Sequence, residues 1–310
     1  CPFPEKAKRK RGKSVRDKFA SYHPVINFTF FIVAIVCGMI LLHPAFLAAS
    51  VLLSMLYYLT ARGWQGWKFV GGMIPLLLVL SLMNPLFNTY GEHVLFRYAG
   101  GRPYTLEALC YGAALGAMMV SVLMWFACYN AVMTSDKFLY LFGKMAPSVT
   151  LILTMVLRLV PSYKNKVTQL NGARRCIGKG TDTGDKKERM EHSMVLLSTL
   201  TSWALEGSVI TADSMRSRGY GCGKRTTFSI YRFENRDKVL LAVMILLAAL
   251  VVFCGMHGAA SVTYTPQLSI QSWQNSYTKA GLMAYIAFLA IPSAVNIWEE
   301  ARWLNLKSKI

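Results

Sequence analysis

Two places in this 310-residue chain set arginines just ahead of a glycine. In one, Ala173-Arg174-Arg175 runs into Cys176-Ile177-Gly178-Lys179. In the other, Arg216-Ser217-Arg218-Gly219 runs into Tyr220-Gly221. A guanidinium is a rigid, permanently charged fork that matches carboxylates, phosphates and carbonyl pairs. Glycine is the usual residue one step past a helix end, and the last turn of a helix favours cations. Each place therefore reads as a helix tip presenting arginine. Two recipients fit that chemistry. One is an anionic lipid surface, which attracts any basic residue. The other is a cytoplasmic protein with carboxylates and carbonyls to pair.

Other chemistries fail on spacing. Gly172, the Gly178-Lys179 pair, and Gly219, Gly223 and Lys224 all miss the phosphate-loop pattern GxxxxGK[ST], because Gly180 and Arg225 stand where Ser or Thr is required. No cofactor is implied. The histidines at 23, 43, 93, 192 and 257 are scattered, so no metal site is expected. Glu299-Glu300 has no histidine beside it and reads as a helix end at an interface.

The elements that carry the tips are helical. Phe138, Leu139, Leu141, Phe142 and Met145 suggest a short amphipathic helix over 138–147. Val149–Val160 is apolar but short, with Arg158 inside it, and reads as interfacial or buried rather than spanning. Tyr163, Val167, Leu170, Ala173 and Ile177 then recur at helical spacing, opposite Lys164, Lys166, Gln169, Arg174 and Arg175. This predicts a helix over about 161–178. A Gly/Asp/Thr/Lys loop separates it from a longer helix over about 187–218.

Around this basic region the chain is apolar. It is 54% hydrophobic and only 16% charged, against about 25% charged in soluble domains. No Asp, Glu, Lys or Arg occurs from Val25 to Ala61, Phe69 to Gly91, Ala108 to Ser135, Val239 to Thr278 or Ala280 to Trp298. A spanning helix takes about 20 residues. The stretches predict about six spans, near 25–42, 45–60, 69–87, 106–133, 239–256 and 280–298, with a tight turn at His43-Pro44. The net charge of +19 would suit a nucleic-acid binder, but such a protein would not carry these uncharged runs, and no nucleic acid is expected.

Basic residues sort to one side. The N-terminal tail holds Lys6, Lys8, Arg9, Lys10, Arg11, Lys13, Arg16 and Lys18; the 61–68 connection holds Arg62 and Lys68; the C-terminal tail holds Arg302, Lys307 and Lys309. The opposite loops carry only Arg97, Arg102 and Lys279. The positive-inside rule then puts both termini in the cytoplasm. Cys1, with a basic run from Lys6 after it, reads as a truncated start rather than a lipidated one. The seven cysteines read as reduced thiols.

The string Ser214-Met215-Arg216-Ser217-Arg218-Gly219-Tyr220-Gly221, with Arg225-Thr226 after it, resembles the second Ala-Arg-Gly-type motif of the transmembrane T components of energy-coupling-factor (ECF) transporters, with Ser217 in place of Ala. Tyr22-His23-Pro24, Asn84-Pro85-Leu86-Phe87-Asn88 and Thr134-Ser135-Asp136-Lys137-Phe138 support the resemblance, which covers nearly the whole chain. It implies an all-α membrane protein with two long coupling helices. The divisions are a basic tail (1–24), four spans (25–134), a cytoplasmic coupling domain (135–238), two spans (239–298) and a second tail (299–310). It also implies the plasma membrane of a prokaryote. The partners are two ATP-binding-cassette ATPases that receive the arginine tips and a separate S component that binds a vitamin or transition-metal ion. The chain itself is then non-catalytic. The first motif departs from the pattern: Ala173-Arg174-Arg175 and the arginine-free Cys176-Ile177-Gly178 are both candidates, with Arg174, Arg175 or Lys179 supplying the charge.

Two other classes compete. A self-contained permease or channel needs polar residues along a path, and Asn27, Asn84, Asn130 and Asn296 are few; such residues more often tie helices together. The spans also lack the ionisable groups of ion-coupled transporters. A membrane-embedded lipid-modifying enzyme lacks a catalytic constellation.

Overall fold

The computed structural model describes residues 18–88, 91, 93–98, 102–143, 146–223, 231, 233–259, 262, 264 and 275–307. The basic residues of 1–17, Met145, Lys224, Arg225-Thr226, Lys309 and most of the 257–279 loop, all invoked above, lie outside the described residues. Nine helices run in order among the rest: α1 (Pro24–Ile40), α2 (Pro44–Arg62), α3 (Trp67–Phe87), α4 (Leu106–Val132), α5 (Ser135–Gly143), α6 (Pro147–Cys176), α7 (Lys186–Ser217), α8 (Asn235–Cys254) and α9 (Ser276–Lys307). The chain divides into two compact units, residues 1–138 with 231–310, and residues 139–230.

The first unit is a membrane bundle whose first two helices start with the same device. His23 and His43 each precede a proline at the first helical position, and each Nδ1 accepts the amide two residues on, Val25 at 3.3 Å and Ala45 at 3.2 Å. Proline has no N–H to lose there, and the imidazole satisfies one of the orphan donors. The expected turn at His43-Pro44 is the three-residue gap between α1 and α2. In the first half of α4, glycine sets the packing. A Cβ on Gly112 would meet Asn84 Cβ at 2.6 Å and the Ser81 carbonyl at 2.7 Å, and one on Gly116 would meet the Leu77 carbonyl at 3.1 Å. This spacing of small residues lets α3 and α4 approach closely, as membrane helices do where no hydrophobic effect drives them together.

The bundle core is aromatic. Phe30 stacks on Phe288 at 5.1 Å, meets Trp125 edge-on at 5.6 Å and receives Phe19 at 5.5 Å; all four are buried. One polar knot lies within it: Ser50 and Ser121 hydroxyls are 2.5 Å apart, and Trp125 Nε1 donates to Ser50 at 3.0 Å. Outward side chains such as Ile40, Leu52, Phe87, Val239 and Met283 are exposed and apolar.

Six helices among the described residues are long and apolar enough to cross a membrane, but they are not the six expected. α1, at 17 residues, is too short to be counted, while α7 just qualifies. α1 nevertheless rises about 25 Å and buries Ile26, Phe30, Phe31 and Ala34 in the bundle core. α7 belongs to the other unit and buries only Leu196 among its described side chains.

Three further differences from expectation appear. The 88–105 loop contains an antiparallel hairpin, β1 (Val94–Tyr98) with β2 (Arg102–Thr105), in which Phe96 stacks on Tyr104 at 4.7 Å. α9 does not end at Glu299-Glu300 but continues to Lys307. The first long helix of the second unit begins at Pro147, not near 161, so the apolar Val149–Val160 stretch and the basic stripe after it form one 30-residue helix with Pro161 inside.

Candidate functional site

The second unit is built from α6 and α7. Both are long, and neither has a core of its own: α6 buries none of its described side chains, while Val149, Ile152, Val156 and Val160 on α6 and Leu197, Leu205 and Val209 on α7 are exposed. A helix with an apolar stripe needs something to cover it.

Both helices end in the same capping geometry. At the end of α6, Gly178 adopts φ +74°, its amide donates to Arg175 O at 3.0 Å, and the Lys179 amide reaches back to Arg174 O at 2.9 Å. At the end of α7, Gly219 adopts φ +79°, its amide donates to Arg216 O at 3.0 Å, and the Tyr220 amide reaches back to Met215 O at 3.0 Å. Each pair of bonds is a complete Schellman motif, and the left-handed position is the one glycine fills without strain. The two motifs give a residue-by-residue register. Arg175 corresponds to Arg216, Cys176 to Ser217, Ile177 to Arg218 and Gly178 to Gly219. By backbone geometry the counterpart of Ser217-Arg218-Gly219 is Cys176-Ile177-Gly178. Ile177, 70% exposed, stands where Arg218 stands in the other tip. Ala173-Arg174-Arg175 lies in the last turn before the cap.

The arginines behave differently at the two tips. At the first, Arg175 Nε donates to Asp182 Oδ1 at 2.9 Å while its Nη2 donates to Asp182 Oδ2, a bidentate pair. That hydrogen bond is the main reason the exposed Asp182 carboxyl is held below its ordinary range. Arg175 reaches Asp182 across Gly180, where a Cβ would meet Arg175 Cγ at 2.5 Å. Arg174 Nε donates to the Lys179 carbonyl at 3.2 Å. The loop is stitched further: Thr181 N to Asn171 Oδ1 at 3.0 Å, Arg189 Nε to Thr181 O at 3.2 Å, and His192 Nδ1 within 3.1 Å of Gly180 O. Asp185 and Glu188 close it with a capping box at the start of α7. At the second tip, Arg216 and Arg218 are exposed, and among the described residues their side chains make no hydrogen bond or ion pair. Ser217 Oγ bonds back to Ser214 O at 3.0 Å.

Composition of the site is therefore cationic and open on one tip, self-paired on the other. No three His, Cys, Asp or Glu side chains gather among the described residues as metal ligands would. Over 197 residues, 59% of this chain and 73% of the relative, the sequence is 25% identical to the energy-coupling factor transporter transmembrane protein EcfT of Staphylococcus aureus (strain 04-02981). Over 201 residues, 62% of this chain, it is 25% identical to the protein of the same name from Lactobacillus helveticus (strain DPC 4571), of which it covers 72%. The chain is EcfT-like. No family model matches it.

For an EcfT-like chain, the residues that sequence reasoning missed are the ones that tie up the first tip: Asn171, Gly180, Asp182 and Arg189. Arginine–glycine spacing marks the caps but not the loop's inward pairing. Only Asp182, seven positions past Arg175 and outside the helix, offers a signal, and it is visible only once the chain reverses at Gly178.

Proposed function

We propose that this chain is the transmembrane coupling subunit of an ECF-type importer. Its α6 and α7 tips dock on two cytoplasmic ATP-binding-cassette ATPases, and the exposed apolar faces of the same helices carry a substrate-binding S component for a vitamin or transition-metal ion. ATP binding closes the ATPase pair, the docked tips move with it, the helices tilt, and the S component reorients to release its cargo inward. The observation that carries the reading is the pair of matched caps closing two long helices that bury almost none of their described side chains. The relatives' name, energy-coupling factor transporter transmembrane protein, agrees with it.

The same reading settles on six spans, α1–α4, α8 and α9, with both ends of the chain in the cytoplasm. Counting α7 as a seventh span would put the Arg302 end and the Lys18 end on opposite sides, against the positive-inside rule. The permease alternative loses support from its own candidates. Asn27 and Asn296 bond to the backbone of residues 18–19 rather than lining a path, and Asn84 accepts from Asn88 at 3.3 Å.

The test is affinity purification of the tagged chain from its native membrane. Two ATPase subunits and a small hydrophobic protein should come down together, and the chain alone should hydrolyse no ATP. Recovery of a lone chain that transports a solute in liposomes would overturn the reading in favour of a permease.

A further inference from the structure

The chain leaves the membrane bundle after Phe138 and returns at Tyr231. Both crossings touch the same short segment, residues 18–23. Phe19 is fully buried there and packs on Phe30 at 5.5 Å and on Phe31 and Tyr57 at 6.4 Å, so a residue at the foot of the basic tail fills the aromatic core. The backbone around it is captured by three side chains from three helices. The Lys18 and Phe19 amides donate to Asn296 Oδ1 of α9 at 2.9 and 3.1 Å. Asn27 of α1, fully buried, satisfies both of its neighbours only with its amide turned so that Nδ2 gives to Phe19 O at 3.1 Å and Oδ1 faces Lys137. Lys137 of α5, 6% exposed, gives its ammonium to Ala20 O at 2.5 Å, to Val132 O at 3.1 Å and to Asn27 Oδ1 at 3.1 Å.

Lysine has three donors, and here all three meet oxygens. Val132 O ends α4 and Ala20 O lies in a 3-10 turn, so the charge sits where helix ends concentrate negative potential. Burying a lysine is costly unless its hydrogen bonds are met, and Lys137 stands one residue before the outgoing crossing. The incoming crossing is held by the next two residues of the segment. His23 packs on Phe233 at 4.2 Å and on Tyr231 at 6.4 Å, and the Arg236 guanidinium lies 6.0 Å over the Tyr22 ring.

We infer that residues 18–23 form a clamp, keyed by Lys137, that fixes both crossings to the bundle so that motion arriving from α6 and α7 is delivered to α1, α4 and α9 instead of being absorbed in the connectors. Lys137 is thus a positioning residue. The inference rests on the coupling reading above for its purpose, while the clamp itself stands on geometry.

Hydrogen exchange by mass spectrometry tests both parts. In the purified chain, Lys137→Met should raise exchange about tenfold at 18–23, 135–143 and 233–237 together, while Lys137→Arg, which keeps a cation with several donors, should restore most of the protection. Asn296→Leu, which leaves Lys137 in place, should release 18–23 and act more weakly on the crossings. In the assembly purified with its ATPases, ATP should change exchange at 174–180 and 215–221 in wild type and Lys137→Met alike, but changes in α1 and α9 should be lost in the variant. Opening of 18–23 without the crossings in Lys137→Met would overturn the common clamp. Unaltered ATP-dependent changes in α1 and α9 would overturn its role in delivery. Failure of any ATPase to co-purify with wild type would instead sink the coupling reading and leave the first arm standing.

Discussion

The tips of α6 and α7 share one backbone and differ in what their arginines do. Both close with a Schellman motif around a left-handed glycine. Yet Arg175 is spent on Asp182 and Arg174 on the Lys179 carbonyl, while Arg216 and Arg218 face solvent. The lesson is that cap geometry fixes where a side chain projects but not whether it is available. A guanidinium with a carboxylate already in its fork has to break that pair before it meets another. A free one does not. Under the coupling reading, the second tip is the ready anchor and the first is held in a self-paired state.

The largest effect should therefore fall on Arg218. Arg218→Ala or Arg218→Glu should abolish transport and ATPase association while the chain still inserts in the membrane. Losing one member of a buried, hydrogen-bonded charge pair costs roughly 2–5 kcal/mol, whereas attraction of one basic residue to anionic lipid is worth about 1 kcal/mol. Arg218→Lys separates the two: it keeps lipid attraction but lacks the planar fork, and should rescue poorly. Near-normal co-purification of Arg218→Ala would place the anchor elsewhere.

Next in size is the first tip. Arg174→Ala and Arg175→Ala should each weaken ATPase co-purification by less than Arg218→Ala, because each residue already has a partner within its loop. An Arg174→Ala loss as large as that of Arg218→Ala would erase the contrast. Ala173-Arg174-Arg175 would then be the working motif, and the cap register, which selects Cys176-Ile177-Gly178, would not mark the point of docking.

How much of this contrast was legible beforehand depends on the scale of the signal. The caps were legible because glycine after arginine at a helix end is a local pattern, and the His43-Pro44 turn between α1 and α2 was legible for the same reason. The early start of α6 was not. The helix expected over 161–178 would start on Pro161, where a missing N–H costs nothing; inside α6 it leaves Leu157 O without its usual donor, a loss the exposed helix tolerates. Phe19 was hidden in a basic tail, and only contacts far along the chain, with Asn296 and Lys137, reveal its burial. Asn27 and Asn296 were rightly read as ties rather than as a path, since polar groups in an apolar bundle seek each other. The Arg175–Asp182 pair needed the loop's reversal, which composition does not encode.

A smaller effect should come from the glycines. At both Gly178 and Gly219 a Cβ would meet nothing within 4 Å, so the cost of Gly→Ala is conformational, about 1 kcal/mol for a left-handed position. Exchange at 174–180 in Gly178→Ala and at 215–221 in Gly219→Ala should rise alike. ATPase affinity should fall more for Gly219→Ala, because there the cap aims an arginine that has no side-chain partner among the described residues. Equal losses would mean that helix-end order, not arginine availability, governs docking.

The smallest effect should be that of pH on the first tip. Asp182 has its carboxyl held below the ordinary range chiefly by the hydrogen bond from Arg175. A depressed folded value means that the pair's contribution is present at neutral pH, where the carboxylate is charged in either state, and is lost as pH falls through that depressed value. Protonation then removes an acceptor and frees Arg175, which makes the first tip resemble the second. The pair is exposed, so the change in loop order should be slight. Asp182→Asn gives the same release without acid. At neutral pH it should loosen 177–185 while 215–221, a stretch with no carboxylate, stays unchanged. If the Arg175–Asp182 pair is what withholds the first tip, Asp182→Asn should also make Arg175→Ala more damaging to ATPase association than it is in the wild-type background. Simple additivity of the two substitutions would show that the pair shapes the loop but does not restrain docking.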